Sequence, residues 1–296
     1  MLKVYKNRWI FIAISVAVIL AGLVGYFVRG GLNIDIDFAG GTSIVFNTKS
    51  TATNQDEVAA LVKETLPDLK GSIKAQATTD KPTEYTIKTT NLTTKDSEAV
   101  IAALKAKFVP DEKDYNDYSI STFTAAYGKQ LAGEAGLALF IAIALMLIYI
   151  SVRFEFMQGV SAIIALCHDT LIMLSIYAIF GVAVNSSFIA VILTILGYSI
   201  NNTIVVFDRV RENRKFARKE TLEEIVNKSV TGTLGRSINT TITTLIMVVC
   251  LYVLGGASIR EFAFPLIIGL VGGAYSSIFI VTPLWAMMKG GNKKKA

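Results

Sequence analysis

Ile10–Val28 reads IFIAISVAVILAGLVGYFV, nineteen residues without a charged side chain. At about 1.5 Å of rise per residue, roughly 20 such residues cross the hydrocarbon of a bilayer, so the stretch predicts a membrane-spanning helix. Lys3, Lys6 and Arg8 precede it as they would a secretory leader. The apolar run is too long for a leader's core, however, and more runs follow, so the helix is read as retained. Five further runs repeat the pattern: Ala135–Val152, Val160–Gly181, Ser187–Phe207, Ile238–Gly256 and Phe262–Met288. The composition agrees, with 52% of 296 residues hydrophobic and 18% charged. That excludes a disordered chain and is poorer in charge than an ordinary soluble domain. Cys167 and Cys250 both lie inside apolar runs, and His168 is the single histidine. These give no disulfide framework, no metal-ligand spacing and no catalytic pair of histidines.

The charges orient the helices. Outside Arg29–Glu134 there are 17 basic residues, and 16 of them fall on one side if the N-terminus is cytoplasmic; only Arg260 falls on the other. Lys and Arg accumulate on the cytoplasmic side of spans, so both termini are expected there. The expected organisation is a first helix (1–29), an extracytoplasmic domain (30–134), a five-helix bundle (135–289) with a cytoplasmic loop (208–236), and a basic tail (290–296). The 29–134 stretch carries 12 basic and 15 acidic residues, the balance of a small globular domain. Within it Gly41–Asn47, Ile73–Thr78, Glu84–Thr89 and Tyr118–Thr124 read as strands. Asn54–Leu66 and Thr94–Phe108 read as helices with apolar stripes and polar N-caps. The order βαββαβ is that of a ferredoxin-like sandwich. Its carboxylates are scattered, and it offers no catalytic constellation.

Polar groups inside the spans are the candidates for function, because an ionisable side chain in the hydrocarbon is costly. Asp169 is the acid well inside a predicted span. His168 beside it, a side chain of the type that relays protons, is a second candidate. Asn201 and Asn202 can only exchange hydrogen bonds. Arg236 opens the fifth span and is followed by Ser237, Thr240, Thr241 and Thr244, with Asn239 and Thr243 beside them. That stripe is either a hydrated face or a set of hydroxyls bonded to helix carbonyls, and Arg236 either meets Asp169 or Asn202 or snorkels to the interface. Gly40 and Gly41 suit a hinge or a tight turn. Gly269 and Gly273, spaced as GxxxG, suit close packing against another helix. Thr221–Glu224 reads as a capping box opening a short amphipathic helix along the membrane face, and the six basic residues of Arg209–Lys219 meet anionic lipid. Nothing but charge would support nucleic-acid binding, and no GxxxxGK[ST] phosphate loop is present.

Local motifs carry a resemblance to a family. Asp35-Ile36-Asp37-Phe38-Ala39-Gly40-Gly41-Thr42 is similar to the D-F-x-G-G-T signature of SecD and SecF proteins. Gly197 to Asn213, which includes Asp208, Arg209, Arg211 and Glu212, resembles the fourth-helix signature of the SecF branch. One helix, an outer domain and five helices also resemble half of a resistance-nodulation-division (RND) transporter. The resemblance implies an accessory subunit of the Sec preprotein translocase in the bacterial cytoplasmic membrane. The implied partners are SecD, YajC, the SecYEG channel, the unfolded exported protein and membrane lipid. It also implies use of a proton or sodium gradient, with no enzyme activity, no cofactor and no metal. One residue departs from the pattern: the family's usual aspartate in the fourth helix is Asn202 here, while Arg236 keeps its spacing. Coupling then rests on Asp169 or on SecD, or uses Na⁺, or the asparagine is a substitution mimicking a protonated aspartate. The rival readings are an RND-type exporter half for small molecules or lipids, and a non-conducting scaffold of the translocon.

Overall fold

The computed structural model describes residues 2–50, 53–69, 73–78, 81–112, 114–217 and 220–293. In chain order the elements are α1 (Arg8–Val28), α2 (Ile36–Ala39), β1 (Gly41–Asn47), α3 (Gln55–Thr65), β2 (Lys74–Thr78), β3 (Lys81–Thr89), α4 (Thr94–Phe108) and β4 (Tyr118–Phe123). There follow α5 (Ala125–Arg153), α6 (Phe156–Phe180), α7 (Ser186–Phe216), α8 (Leu222–Leu254), α9 (Ala257–Phe279) and α10 (Val281–Lys293). The chain forms two compact units, a helical one (Met1–Asn33, Gly136–Cys250 and Phe262–Ala296) and a second one (Ile34–Ala135 with Leu251–Glu261).

The second unit is a four-stranded antiparallel sheet in the order β2-β3-β1-β4, with two helices interleaved in sequence. This is the ferredoxin-like arrangement expected from βαββαβ. Alternation along β1 buries Ile44 and Phe46, which meet Val58 and Val62 of α3 and Val100 and Leu104 of α4 in one core. Asn54 caps α3 by accepting from the Asp56 N–H, and Thr93 with Asp96 closes a capping box on α4. Each satisfies backbone donors that a helix start leaves open.

Among the described residues, six helical stretches, α9 and α10 counting as one, are long and apolar enough to cross a membrane. Burial ranks them. The apolar window of α5 is 6% buried and that of α1 11%, against 39% for α6 and for α7 and 56% for the α9–α10 span. The interior is therefore α6, α7, α9 and α10, whereas α5 presents Leu137, Phe140, Leu145 and Val152 outward. Small residues set the approaches: a side chain at Gly22 would overlap Ser175, and one at Gly25 would sit 3.2 Å from the Ala178 backbone, so α1 lies directly on α6. Trp285, Phe207, Leu196 and Leu166 fill the centre.

Three expectations need correction. The loop at 208–236 is mostly helix, because α7 continues to Phe216 and α8 begins at Leu222. The Thr221–Glu224 capping box is present, with Glu224 N–H donating to Thr221 Oγ1 at 3.3 Å. It starts α8 itself, so the short interfacial helix is the first turn of a span. The sixth span is two helices with Ile280 between them. Pro283 has no N–H for the carbonyl four residues back, and its ring crowds that turn.

Candidate ion-coupling site

Asp169 lies midway along α6 and is 2% exposed. A carboxyl so buried needs partners for both oxygens, and three helices supply them. Ser199 Oγ of α7 donates to Oδ2 at 2.6 Å and Ser276 Oγ of α9 donates to the same oxygen at 2.8 Å. Oδ1 lies 2.9 Å from His168 Nδ1, and the other ring nitrogen, Nε2, lies 2.8 Å from Ser15 Oγ of α1. Tyr275 of α9 stacks on the imidazole with ring centroids 6.4 Å apart, and its hydroxyl donates to the Phe11 carbonyl of α1 at 2.8 Å. Four helices thus converge on one carboxyl. Gly273 makes room for this: a Cβ there would stand 3.1 Å from Ser199 Cβ, and one at Gly269 would overlap the Ile195 side chain.

Of the placements open to Arg236, the structure has the one away from Asp169 and Asn202. Arg236 is exposed, and among the described residues its side chain makes no hydrogen bond or ion pair. The register of α7 on α8 explains this. Tyr198 donates to Thr241 at 2.7 Å, Asn213 donates to Ser229 at 2.8 Å, and Arg209 Nε lies 3.3 Å from where a Gly232 side chain would begin. These antiparallel contacts set Asn202 opposite Ser237, and Arg236 lies about 100° round the helix from its neighbour. Asn202 and Ser237 are each 2% exposed, and neither Asn202 Nδ2 nor Ser237 Oγ has a partner among the described residues. Asn201 is exposed. The hydroxyls of Thr240, Thr241, Thr243 and Thr244 bond carbonyls on their own helix.

The signature at 35–42 forms a compact corner. Asp35, 6% exposed, accepts from Ile36 N–H and pairs with Lys88 Nζ at 2.6 Å. The Asp37–Phe38 turn belongs to α2, and Phe38 backbone lies where a Gly128 side chain would be. Gly40 has φ of 81°, and Thr42 Oγ1 accepts from Leu92 N–H at 3.0 Å. Burial works against the charge on Lys88, but the bond to Asp35 outweighs it and the ammonium pKa is raised.

At the other signature, Asp208 pairs with Arg211 at 3.2 Å and with Arg153 at 3.8 Å, and Arg209 pairs with Glu212 at 2.6 Å. Sequence reading missed Glu155 nearby. It receives Lys289 Nζ at 2.6 Å and the Arg214 guanidinium, which joins the start of α6 to α7 and α10. Burial opposes its charge, yet the Lys289 and Arg214 bonds prevail and lower its pKa. A lone acid in the short connection between two spans was the available signal.

The profile of the family described as "Protein export membrane protein SecD/SecF, C-terminal" matches residues 103–291. The chain belongs to the SecD/SecF family. Among relatives, it is 38% identical to the protein translocase subunit SecF of Alicyclobacillus acidocaldarius, over 98% of this chain and 93% of that one. It is 36% identical to the protein translocase subunit SecDF of Bacillus subtilis, covering 98% of this chain but 38% of the relative. The crystal structure of SecDF from Thermus thermophilus, a translocon-associated membrane protein, superposes with a TM-score of 0.80 at 29% identity, over 98% of this chain and 39% of that one. A SecD/SecF family chain with six apolar helices is a multi-pass membrane protein, and it spans somewhat over a third of the SecDF relatives.

Proposed function

We propose that this chain is the SecF-type half of a protein-export unit that works with a SecD half in the bacterial cytoplasmic membrane, with both termini cytoplasmic. The observation that carries the reading is an exposed face of small and polar residues on two apolar helices. Along α7 the exposed line is Ala190, Thr194, Gly197, Asn201 and Asp208; along α8 it includes Gly232, Arg236, Asn239 and Thr243. On α1 and α5 the exposed side chains include Val24, Phe27, Phe140 and Leu145, as lipid contact requires. Small and hydrogen-bonding residues instead suit another helix bundle at close range. SecDF relatives carrying both parts in one chain support a SecD half as that bundle. YajC, the SecYEG channel and the unfolded exported chain are the wider assembly in this reading, and no enzymatic step is involved.

The Asp169 cluster is the coupling site. A carboxyl held at membrane depth by hydroxyls and an imidazole, with no fixed cation touching it among the described residues, has an affinity for a proton set by its neighbours. One charge crossing 100 mV yields about 2.3 kcal/mol. A full swing of a two-state element needs about 5.5 kcal/mol, so about two ions drive one. Proteoliposomes holding this chain with SecD and SecYEG test the reading. Export should fall when a proton or sodium gradient is collapsed, and Asp169→Asn should remove that dependence. Unchanged gradient dependence in Asp169→Asn would reject the site. The scaffold reading draws support from Asn202 and from the exposed Arg236; it predicts no gradient dependence in the native chain and none gained by Asn202→Asp.

A further inference from the structure

Beside the Asp169 cluster a groove lies between α1 and α9, floored by α6. At its closed end Phe11 of α1 stacks on Phe279 of α9, with ring centroids 4.4 Å apart, and Tyr275 meets Phe11 edge-on at 6.3 Å. From there the walls follow all three helices: Ile14 and Val18 of α1, Ile172 and Ile176 of α6, and Ile268 and Val271 of α9. The groove holds about 390 Å³, at the lower end of the roughly 300–1,000 Å³ of ligand sites.

Polar side chains reach it only at the closed end, as Ser15, His168 and Tyr275. Their polar atoms are already engaged: His168 with Asp169 and Ser15, and Tyr275 with the Phe11 carbonyl. No donor or acceptor is left asking for a ligand, so the groove calls for hydrocarbon. Length and width decide which hydrocarbon. His168 to Ile176 is eight residues, about 12 Å of helix, close to the roughly 15 Å of hydrocarbon in one leaflet. A partner helix is too thick: at a diameter of about 10 Å, one 5.4 Å turn already takes up about 420 Å³, and the groove runs for two turns. The rim is wrong for a helix as well. Ile14 and Val271, 49% and 52% exposed, are branched, where closely packed membrane helices need small residues. The exposed surface of α1 continues past the rim at Leu20 and Val24, so the groove opens directly on lipid.

We propose that the groove between α1, α6 and α9 holds one acyl chain of a membrane lipid, whose end lies against the His168 and Tyr275 rings and seals the lipid side of the Asp169 cluster. The His168 side chain is 12% exposed, and the chain end covers it. With both termini cytoplasmic, the open end faces the outer leaflet, which supplies the lipid. Lipid tails solvate apolar walls wherever they lie, so contact rather than desolvation holds the chain. A seated chain meets protein on three sides and makes more dispersion contacts than one on a convex helix face.

The test is photolabelling of the chain, alone and with its SecD half, in vesicles of phosphatidylethanolamine and phosphatidylglycerol. A small share of the lipid carries a diazirine at the end of one acyl chain. Peptide mass mapping should find label at Ile172, Val271 and Gly272 about tenfold above that at Val16, the ratio that ten or so added atom contacts supply. Val16 is exposed at the same depth on the convex face of α1. Gly272→Phe should bring the two labels level, because a side chain begun there meets only Ile172 Cγ2, at 3.9 Å, and grows into the groove. Gly272→Ala leaves the groove open, controls for folding and should label as the native chain does. In native mass spectrometry from detergent, the native chain and Gly272→Ala should each retain one lipid and Gly272→Phe none. Equal labelling of the groove and Val16 in the native chain overturns the proposal, as does an enrichment that Gly272→Phe leaves intact. So does an enrichment that vanishes on pairing with SecD, which makes a partner helix the occupant. Labelling needs no ion gradient, so its outcome is separate from whether Asp169 carries the ion.

Discussion

Replacing Gly273 by alanine asks whether the spacing of α7 and α9 governs the buried carboxyl. A methyl group at 273 would begin 3.1 Å from Ser199 Cβ and 3.4 Å from its Oγ. Carbon atoms rest at about 3.5–4.0 Å, so α7 must retreat by roughly half an ångström at that turn. Ser199 Oγ now stands 2.6 Å from Asp169 Oδ2. The retreat brings that bond to the outer limit of a good O–H···O contact, about 3.0 Å. Overpacking of this kind costs about 1–3 kcal/mol, and weakening a bond to a charged or partly charged oxygen adds about 1 kcal/mol. The neighbouring Gly272 is the control. A methyl there meets only Ile172 Cγ2, at 3.9 Å, and alanine gains about 0.5–1 kcal/mol in a helix interior. Thermal unfolding in detergent should therefore place Gly273→Ala about 2–4 kcal/mol below Gly272→Ala. Gradient-driven export should drop in the former and hold in the latter. If the two variants melt together and export equally, helix spacing does not control the Asp169 site.

Glu155→Gln removes the charge that gathers Lys289 and Arg214. Both pairs are partly exposed, with the Glu155 side chain 41% accessible, so the loss at neutral pH is about 1 kcal/mol in total. A depressed carboxyl pKa stabilises above the ordinary value of 4.5 and ceases to do so as pH falls through the folded-state value. Native chain and variant should thus converge in melting temperature under acid, and a constant gap between them would refute the assignment. Lys88→Met leaves Asp35 buried without its counter-charge and should cost about 3 kcal/mol, read as lost amide-exchange protection in β3. Because the Lys88 pKa is raised, its contribution is complete below the ordinary 10.5 and lost only as pH climbs through the folded value; sensitivity near neutral pH would contradict the pairing.

The sheet domain was readable because its determinants are local. Asn54 and Thr93 announce their helices, and alternate burial along Gly41–Asn47 announces a strand. Hydropathy found the six spans but misjudged their ends, since it senses the hydrocarbon rather than the helix: α7 runs on through polar residues to Phe216. Asp169 stood out as a lone acid with His168 beside it, yet nothing marked its serine partners. Ser15 and Ser276 are 153 and 107 residues away from the groups they bond, and serine in an apolar helix is too ordinary to notice. Arg236 was left open between Asp169, Asn202 and the interface, because spacing along one helix does not fix its register on another; the Tyr198–Thr241 contact turns Ser237 inward and Arg236 away.

The break at Ile280 gives the last span unequal mechanical halves. Its lower rod is moored by Lys289 to Glu155, and its upper rod carries Gly273, Tyr275 and Ser276. Pro283 withholds one rung of the backbone ladder there, as Pro265 does farther up the span, so the joint bends more readily than an unbroken helix. A small tilt of the upper rod is absorbed there as rotation and leaves the mooring still. The carboxyl can thus loosen or tighten against its hydroxyl donors while the opposite end of the bundle keeps its footing.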